Sequence, residues 1–286
     1  MKVVTWNTQW CCGLDGVVSP SRIVEGARDM GDFDVLCLQE IASGFDEMDG
    51  APGDQPAQLQ ALLPGFRLFF GAAVDEFDTQ GRRQRFGNLI ATRLPVARVQ
   101  HHPLPWPADP GATSMPRMCT SVTIDSPELG ALRVMTTHLE YYSALQRMAQ
   151  AQALRTLHAE ACGMALRPPL PDEPGTPFQP KLHTCEVILC GDFNMPPADP
   201  AYDEIVQPFA CDGARSTLRL HDAWRVLHGN TPHAPTFRLF DRRYGPDPLA
   251  CDFMFLSDGL ASRLKRIEVD LATRVSDHQP VLIELT

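Results

Sequence analysis

The chain has 286 residues, 44% of them hydrophobic and 21% charged, and 35 acidic against 25 basic residues leave a formal charge of −10. That composition excludes a disordered, collagenous or coiled-coil chain, and the length is ample to bury a sizeable core without covalent staples. The negative charge argues against a protein that coats long nucleic acid through a broad basic face, because such affinity comes from Lys and Arg neutralising phosphates. Arg82-Arg83-Gln84-Arg85 and Arg242-Arg243 are the basic clusters that could line a local groove; solvated loop charge is the plain alternative. The nine cysteines are odd in number and mostly sit in apolar runs such as Val35-Leu36-Cys37-Leu38, where a free thiol behaves as a small hydrophobe. They are expected to be reduced, which places the protein in the cytoplasm, and none has zinc-finger spacing. No signal peptide and no membrane span is expected.

Strand-like runs are expected at 3–10, 35–39, 67–71, 88–92, 120–124, 132–137, 187–190, 253–256 and 281–285, with helical periods at 21–30, 55–63, 144–164 and 203–208. Interspersed strands and helices of this kind predict an α/β fold with two packed sheets flanked by helices. In the first run Thr5, Asn7 and Gln9 fall on one face, and a polar face on a buried strand needs partners; an exposed face is the alternative. The second ends its apolar run in Gln39-Glu40, where an acid serves as a ligand, a helix cap or a solvent contact. Residues 102–116 are too rich in Pro and Gly for helix or central strand and are expected to form a long surface loop, as are residues 167–180. The run at 132–137 delivers His138, a functional imidazole or a hydrogen-bonded structural one. After Val187-Ile188-Leu189-Cys190, Gly191 lets the backbone bend. Asp192 and Asn194 can then point the same way and orient one water, unless they close an Asx turn. Near the end, Asp252 and the Asp277-His278 pair supply a carboxylate able to fix a histidine tautomer and raise its pKa. Site motifs lie on both sides of each Pro-rich loop, so residues 1–286 are expected to form a single domain.

The ordered set TWNTQW (5–10), DVLCLQE (34–40), FGNLIATRLP (86–95), TTHLE (136–140), GDFN (191–194), LHDAW (220–224), CDFMFLS (251–257) and SDHQPV (276–281) resembles the endonuclease/exonuclease/phosphatase superfamily of deoxyribonuclease-like fold. The resemblance implies a four-layer αββα sandwich, two mixed sheets face to face with helices outside. It implies Mg²⁺ or Mn²⁺ held by Glu40, with Asn7 and Asp277 near the metal directly or through water. It further implies that Asp192 activates the attacking water, that Asn194 holds it, and that His278, bonded to Asp252, stabilises transition-state charge with His138 opposite. The reaction is then in-line hydrolysis of a phosphoester, as a phosphodiesterase or nuclease, with nucleic acid or a nucleotide as candidate substrate. A phosphomonoesterase or a sphingomyelinase-like phospholipid hydrolase on the same scaffold is the alternative. An inactive binding module is the remote one, disfavoured because the whole polar set is present. The inositol-polyphosphate branch carries Trp-Cys-Asp-Arg where this chain has Ala250-Cys251-Asp252-Phe253, and no Gly-x-Ser-x-Gly elbow supports a serine esterase.

Overall fold

The computed structural model describes residues 1–170, 173–211 and 217–286. The first half of the chain runs β1 (Lys2–Asn7), α1 (Pro20–Met30), β2 (Val35–Ser43), α2 (Gln55–Leu62), β3 (Arg67–Phe77), β4 (Arg83–Thr92), β5 (Val96–Pro103), β6 (Met118–Ser126) and β7 (Gly130–His138). It continues with α3 (Ala144–Leu166), β8 (Val187–Asp192), α4 (Pro200–Val206), β9 (Leu220–Asp222), α5 (Ala223–His228), β10 (Asp252–Ser257), α6 (Asp258–Ala261), β11 (Leu264–Val269) and β12 (Val281–Leu285). The strands form two six-stranded sheets, ordered β11-β12-β1-β2-β4-β3 and β5-β6-β7-β8-β10-β9. Each sheet is mixed, with one parallel pair at its centre: β1 with β2, and β7 with β8.

Period-two alternation explains the layers. Val3, Val35, Val134, Ile188, Met254 and Ile283 face the other sheet and fill the space between them. Their strand neighbours Val4, Trp6, Leu36 and Leu38 face outward and pack under α1 and α2 with Ile23, Val24, Ala27 and Leu59. On the other side Met135, Leu189, Phe253 and Phe255 meet Leu154, Tyr202 and Ile205 of α3 and α4. Burial of each such Leu, Ile or Phe side chain contributes roughly 1.5–3 kcal/mol, and strands covered on both faces read as continuous apolar runs. α1 starts where Ser19 accepts from the Arg22 amide and Pro20 presets the first helical φ; Ile23, Val24, Ala27 and Met30 then form its buried stripe.

Four features differ from the sequence expectation. β1 stops at Asn7, since Gln9, Trp10 and Cys11 adopt φ of 48°, 43° and 58° and turn the chain away; Thr5 and Asn7 keep a common face but Gln9 does not share it. β2 does not end at Gln39 but continues to Ser43 through a bulge between Leu38 and Ile41. The edge strands β5 and β11 and the short β9, α5 and α6 lack a strong apolar period and were not expected. Of the segment 102–116, expected as loop, His102 and Pro103 instead close β5, while the rest of it and 167–180 contain no regular element among the described residues, in line with their Pro and Gly content; positions 171–172 lie outside the described residues. None of the nine cysteines forms a disulfide among the described residues. Among the described residues no helix is long and apolar enough to cross a membrane.

Candidate active site

The two parallel pairs bring four carboxyl-terminal strand ends to the same end of the sandwich. Asn7 sits opposite Gln39 in one sheet, and His138 sits opposite Asp192 in the other. β10 runs the other way, so its first residue, Asp252, pairs with Asp192. The chain before β12 adds Asp277 and His278: Ser276 Oγ donates to the Asn7 carbonyl at 2.8 Å, and Trp6 Nε1 donates to the His278 carbonyl at 2.9 Å. Beneath them Gln39 bridges the sheets, its Nε2 donating to Thr5 Oγ1 at 3.1 Å and Thr136 Oγ1 at 2.8 Å.

Backbone distortion aims two of these groups. Glu40 lies in the β2 bulge with φ 60°, a left-handed conformation that non-glycine residues take only when the surroundings enforce it. The bulge re-aims Glu40 out of the pleat's alternation, which a straight strand would not do. Asn194 has φ 50°. Gly191 has φ 136°, and a Cβ there would lie 2.0 Å from the Thr137 carbonyl oxygen, so the close approach of β7 and β8 requires glycine. Such strain, of order 1–3 kcal/mol per residue, collects where geometry serves a site.

Asp192 is the hub. Its Oδ1 accepts from the Asn194 amide at 2.8 Å and its Oδ2 from Asn7 Nδ2 at 2.8 Å; Asn7 Nδ2 also donates to Glu40 Oε1 at 3.0 Å. The Asn7 amide orientation follows from Oδ1 accepting the Gln9 amide at 3.1 Å. His278 Nδ1 pairs with Asp252 Oδ2 at 2.9 Å, while its Nε2 faces Asp192 Oδ2 at 3.7 Å. Burial alone would lower the His278 pKa, but the carboxylates of Asp252 and Asp192 outweigh it and hold the ring well above its ordinary value as an imidazolium. His138 behaves oppositely: burial, then Arg117 and His278, push it well below its ordinary value. Asn194 Nδ2 lies 2.9 Å from both the Leu139 carbonyl and His138 Nε2. The carbonyl can only accept, which places the Asn194 NH₂ there and makes neutral His138 an acceptor at Nε2.

Burial raises the Glu40 pKa to about 7, helped by the nearby Asp277 carboxylate, and raises Asp192 to about 6. Asp277 is raised as well, chiefly by burial. Three carboxylates thus crowd one spot, and among the described residues the adjacent guanidinium of Arg117 is already engaged with Glu140 at 3.2 Å. Hard oxygen donors in negative excess fit Mg²⁺ or Mn²⁺. Asp192, Cys251, Asp252 and His278 also place one ligand atom each within 4.8 Å of one another. There the Cys251 thiol, pushed well above its ordinary pKa by burial, donates to Asp252 Oδ2, so this deeper cluster is a hydrogen-bonded support rather than a thiolate set.

Glu40, His138, Asp192, Asn194, Asp277 and His278 floor a cleft of about 310 Å³. Its walls include residues the sequence reading did not single out: Arg117, Glu140, Phe237, and the tyrosines 141, 142 and 244. Arg117 is 7% exposed, and its Nη1 is buried without a partner among the described residues. The motif TTHLE contained Glu140, but nothing local revealed that it would clamp an arginine from the Pro-rich segment. That segment is a wall of the cleft rather than a remote loop. Thr113, Ser114 and Met115 line the cleft, and Gln146 and Gln150 of α3 pin the segment through the carbonyls of Pro107 and Pro105. The basic clusters are occupied: Arg82 pairs with Asp78 and Asp46, Arg83 with Asp75 and Arg243 with Asp241, Arg85 bonds Ser43, and Arg242 bonds the Pro246 carbonyl.

The sequence matches the Endonuclease/Exonuclease/phosphatase family over residues 4–278. No curated protein matches it. Among solved structures it is similar to an endonuclease/exonuclease/phosphatase from Beutenbergia cavernae, with 24% identity over 99% of this chain and 70% of the other and a TM-score of 0.67. The mannosyl-6-phosphatase Bt3783 of Bacteroides thetaiotaomicron is 19% identical over 100% of this chain and 99% of that one, with TM-score 0.66. A humanized D. rerio TDP2 is 16% identical over 99% and 97%, with TM-score 0.59. At these identities the structural likenesses establish the sandwich fold.

Proposed function

The chain belongs to the endonuclease/exonuclease/phosphatase family, whose members hydrolyse phosphoester bonds, and from that premise we propose that it cleaves a short phosphodiester by direct attack of water, with no covalent enzyme intermediate. The observation that carries this reading is the position of Asp192. Its carboxylate is gripped by Asn7 and the Asn194 amide, faces the His278 imidazolium, and opens on the cleft. Glu40 and Asp277 would hold a divalent cation, with Asn7 fixing Glu40 against Asp192. When bound, such a cation neutralises charge on the phosphoryl group and lowers the pKa of a water. Asp192, poised near 6, orients the attacking water and takes its proton; a base with a pKa near the working pH does this most effectively. Asn194, held by Leu139 and His138, fixes the second side of that water. His278 presents Nε2–H to the non-bridging oxygen where charge develops, and Asp252 keeps it protonated. Arg117 Nη1 offers a further donor toward the same oxygens. Paired arginines and a charge of −10 favour short substrates over long duplexes.

A panel of bis-p-nitrophenyl phosphate, p-nitrophenyl phosphate, single- and double-stranded oligonucleotides and sphingomyelin, assayed with Mg²⁺ and again with EDTA, tests this. Mg²⁺-dependent turnover of the short diesters is expected. Turnover that survives EDTA, or none with any phosphoester, contradicts it.

A further inference from the structure

A chain of five rings leads outward from the phosphoester end of the cleft. The His278 imidazole stacks on Phe237, centroids 4.4 Å apart and planes at 21°. Phe237 lies 5.9 Å from Tyr244, Tyr244 lies 6.3 Å from Tyr141, and Tyr141 lies 4.8 Å from Tyr142. All five line the same cleft; Phe237 is 5% exposed, Tyr141 is half-buried, and Tyr244 and Tyr142 stand open at 44% and 58%. Single exposed apolar side chains need no explanation, but successive rings bordering a concave site form a surface suited to contact.

The wall is also held in place. Arg238 Nη1 donates to the Tyr244 carbonyl at 2.9 Å while its guanidinium lies 5.7 Å from the Phe237 centroid. Gly245, with φ 142°, makes room for this arginine, since a Cβ there would sit 2.0 Å from Arg238 Nη1. The Tyr141 hydroxyl donates to the same Tyr244 carbonyl at 3.5 Å. Rings fixed in advance lose little entropy when a flat group stacks on them.

Resting on the reading of this cleft as a phosphoester site, we propose that the ring wall selects substrates carrying a nucleobase, which lies against Tyr141 and Tyr244 while the phosphoryl group reaches Asp192 and His278. A cleft of about 310 Å³ holds one nucleotide-sized group and not a stretch of duplex. An acyl chain would press hydrocarbon on the rim hydroxyls of Tyr142 and Tyr244, and a sugar without a base has little flat area to offer. A base supplies a π face for the rings and a polar edge for the hydroxyls.

The test is calorimetric titration of the full chain in Mg²⁺ with three probes: AMP, ribose 5-phosphate, and a 5′-phosphorylated single-stranded tetranucleotide. AMP should bind at least about fivefold tighter than ribose 5-phosphate, the lower bound for one stacked base. Tyr244→Ala should shrink that ratio below roughly twofold and Tyr244→Phe should keep it. The tetranucleotide beside AMP separates a strand end from a free nucleotide as the source of the base, and either one binding above ribose 5-phosphate supports the wall. Neither base-carrying probe binding tighter than ribose 5-phosphate, or a preference untouched by Tyr244→Ala, overturns the proposal. Base preference without any phosphoester hydrolysis would refute the enzymatic reading and leave the wall standing, whereas hydrolysis without base preference refutes the wall alone.

Discussion

Replacing Asp252 by Asn removes a charge while keeping a group of the same shape 2.9 Å from His278 Nδ1. Both residues are buried, so the pair is poorly screened by solvent. Two unit charges about 4 Å apart at an effective dielectric near 20 interact by about 4 kcal/mol, roughly a thousandfold in the protonation equilibrium. Asp192 remains as a second, more distant anion, but burial acts against the charged ring, so His278 in the variant should be mostly neutral near pH 7.5. Loss of the imidazolium should cost about 10²–10⁴-fold in turnover. The sign of the pH effect follows directly. Wild-type His278 stays charged across neutrality, whereas in the variant its protonated form survives only at lower pH, so activity should fall as pH rises. On the acid side Asp192, with its pKa near 6, still limits the rate. The assay is initial-rate hydrolysis of bis-p-nitrophenyl phosphate from about pH 5.5 to 9 for both proteins, with circular dichroism to confirm folding. A variant within about tenfold of wild type and with an unchanged pH profile would refute the imidazolium role.

Three further outcomes are expected. Glu40→Ala should weaken Mg²⁺ or Mn²⁺ binding in calorimetric titration. In the wild type that affinity should rise between about pH 5.5 and 8, because Glu40, held at about 7, must shed its proton; equal affinity in both proteins removes Glu40 from the site. For the same reason the metal-free fold should lose stability as pH climbs from the ordinary glutamate value of 4.5 through about 7, and Mg²⁺ should raise Tm more at high pH than at low. Gly191→Ala should cost about 2–4 kcal/mol in urea unfolding, from overlap with the Thr137 carbonyl plus positive-φ strain, and a loss under about 0.5 kcal/mol would show that β7 and β8 can part. Binding of a short oligonucleotide should show a log-affinity against log-salt slope near roughly −2, whereas a slope of about −6 or steeper would reveal a basic groove that the paired arginines conceal.

The apolar runs of β1, β2, β7, β8, β10 and β12 made the core legible, because strands buried on both faces must be apolar almost throughout. The polar groups Asn7, Glu40, His138, Asp192, Asn194, Asp252, Asp277 and His278 were legible for the complementary reason: each interrupts or borders such a run. Edge strands such as β5 carry alternating polar residues that local pattern does not separate from loop. The bulge at Glu40 was hidden because it is set by pairing with β4, 46 positions or more along the chain, and not by its own neighbours. The walls of the cleft were hidden more deeply. Arg117 meets Glu140, and Tyr141 meets Tyr244, only once the end of the Pro-rich segment and the segment before β10 fold against the connection between β7 and α3. Long-range contacts between irregular segments leave no periodic signature.

The account stands or falls on Asp192 as the group that acts on water. Asp192→Asn keeps the volume and can still accept the Asn194 amide, but it gives up the bond from Asn7 Nδ2, so circular dichroism must confirm its fold; substrate affinity should be retained. Its single-turnover rate on bis-p-nitrophenyl phosphate in saturating Mg²⁺ should fall at least about 10²-fold. A folded Asp192→Asn protein that cleaves the diester at a rate close to wild type would contradict the central claim.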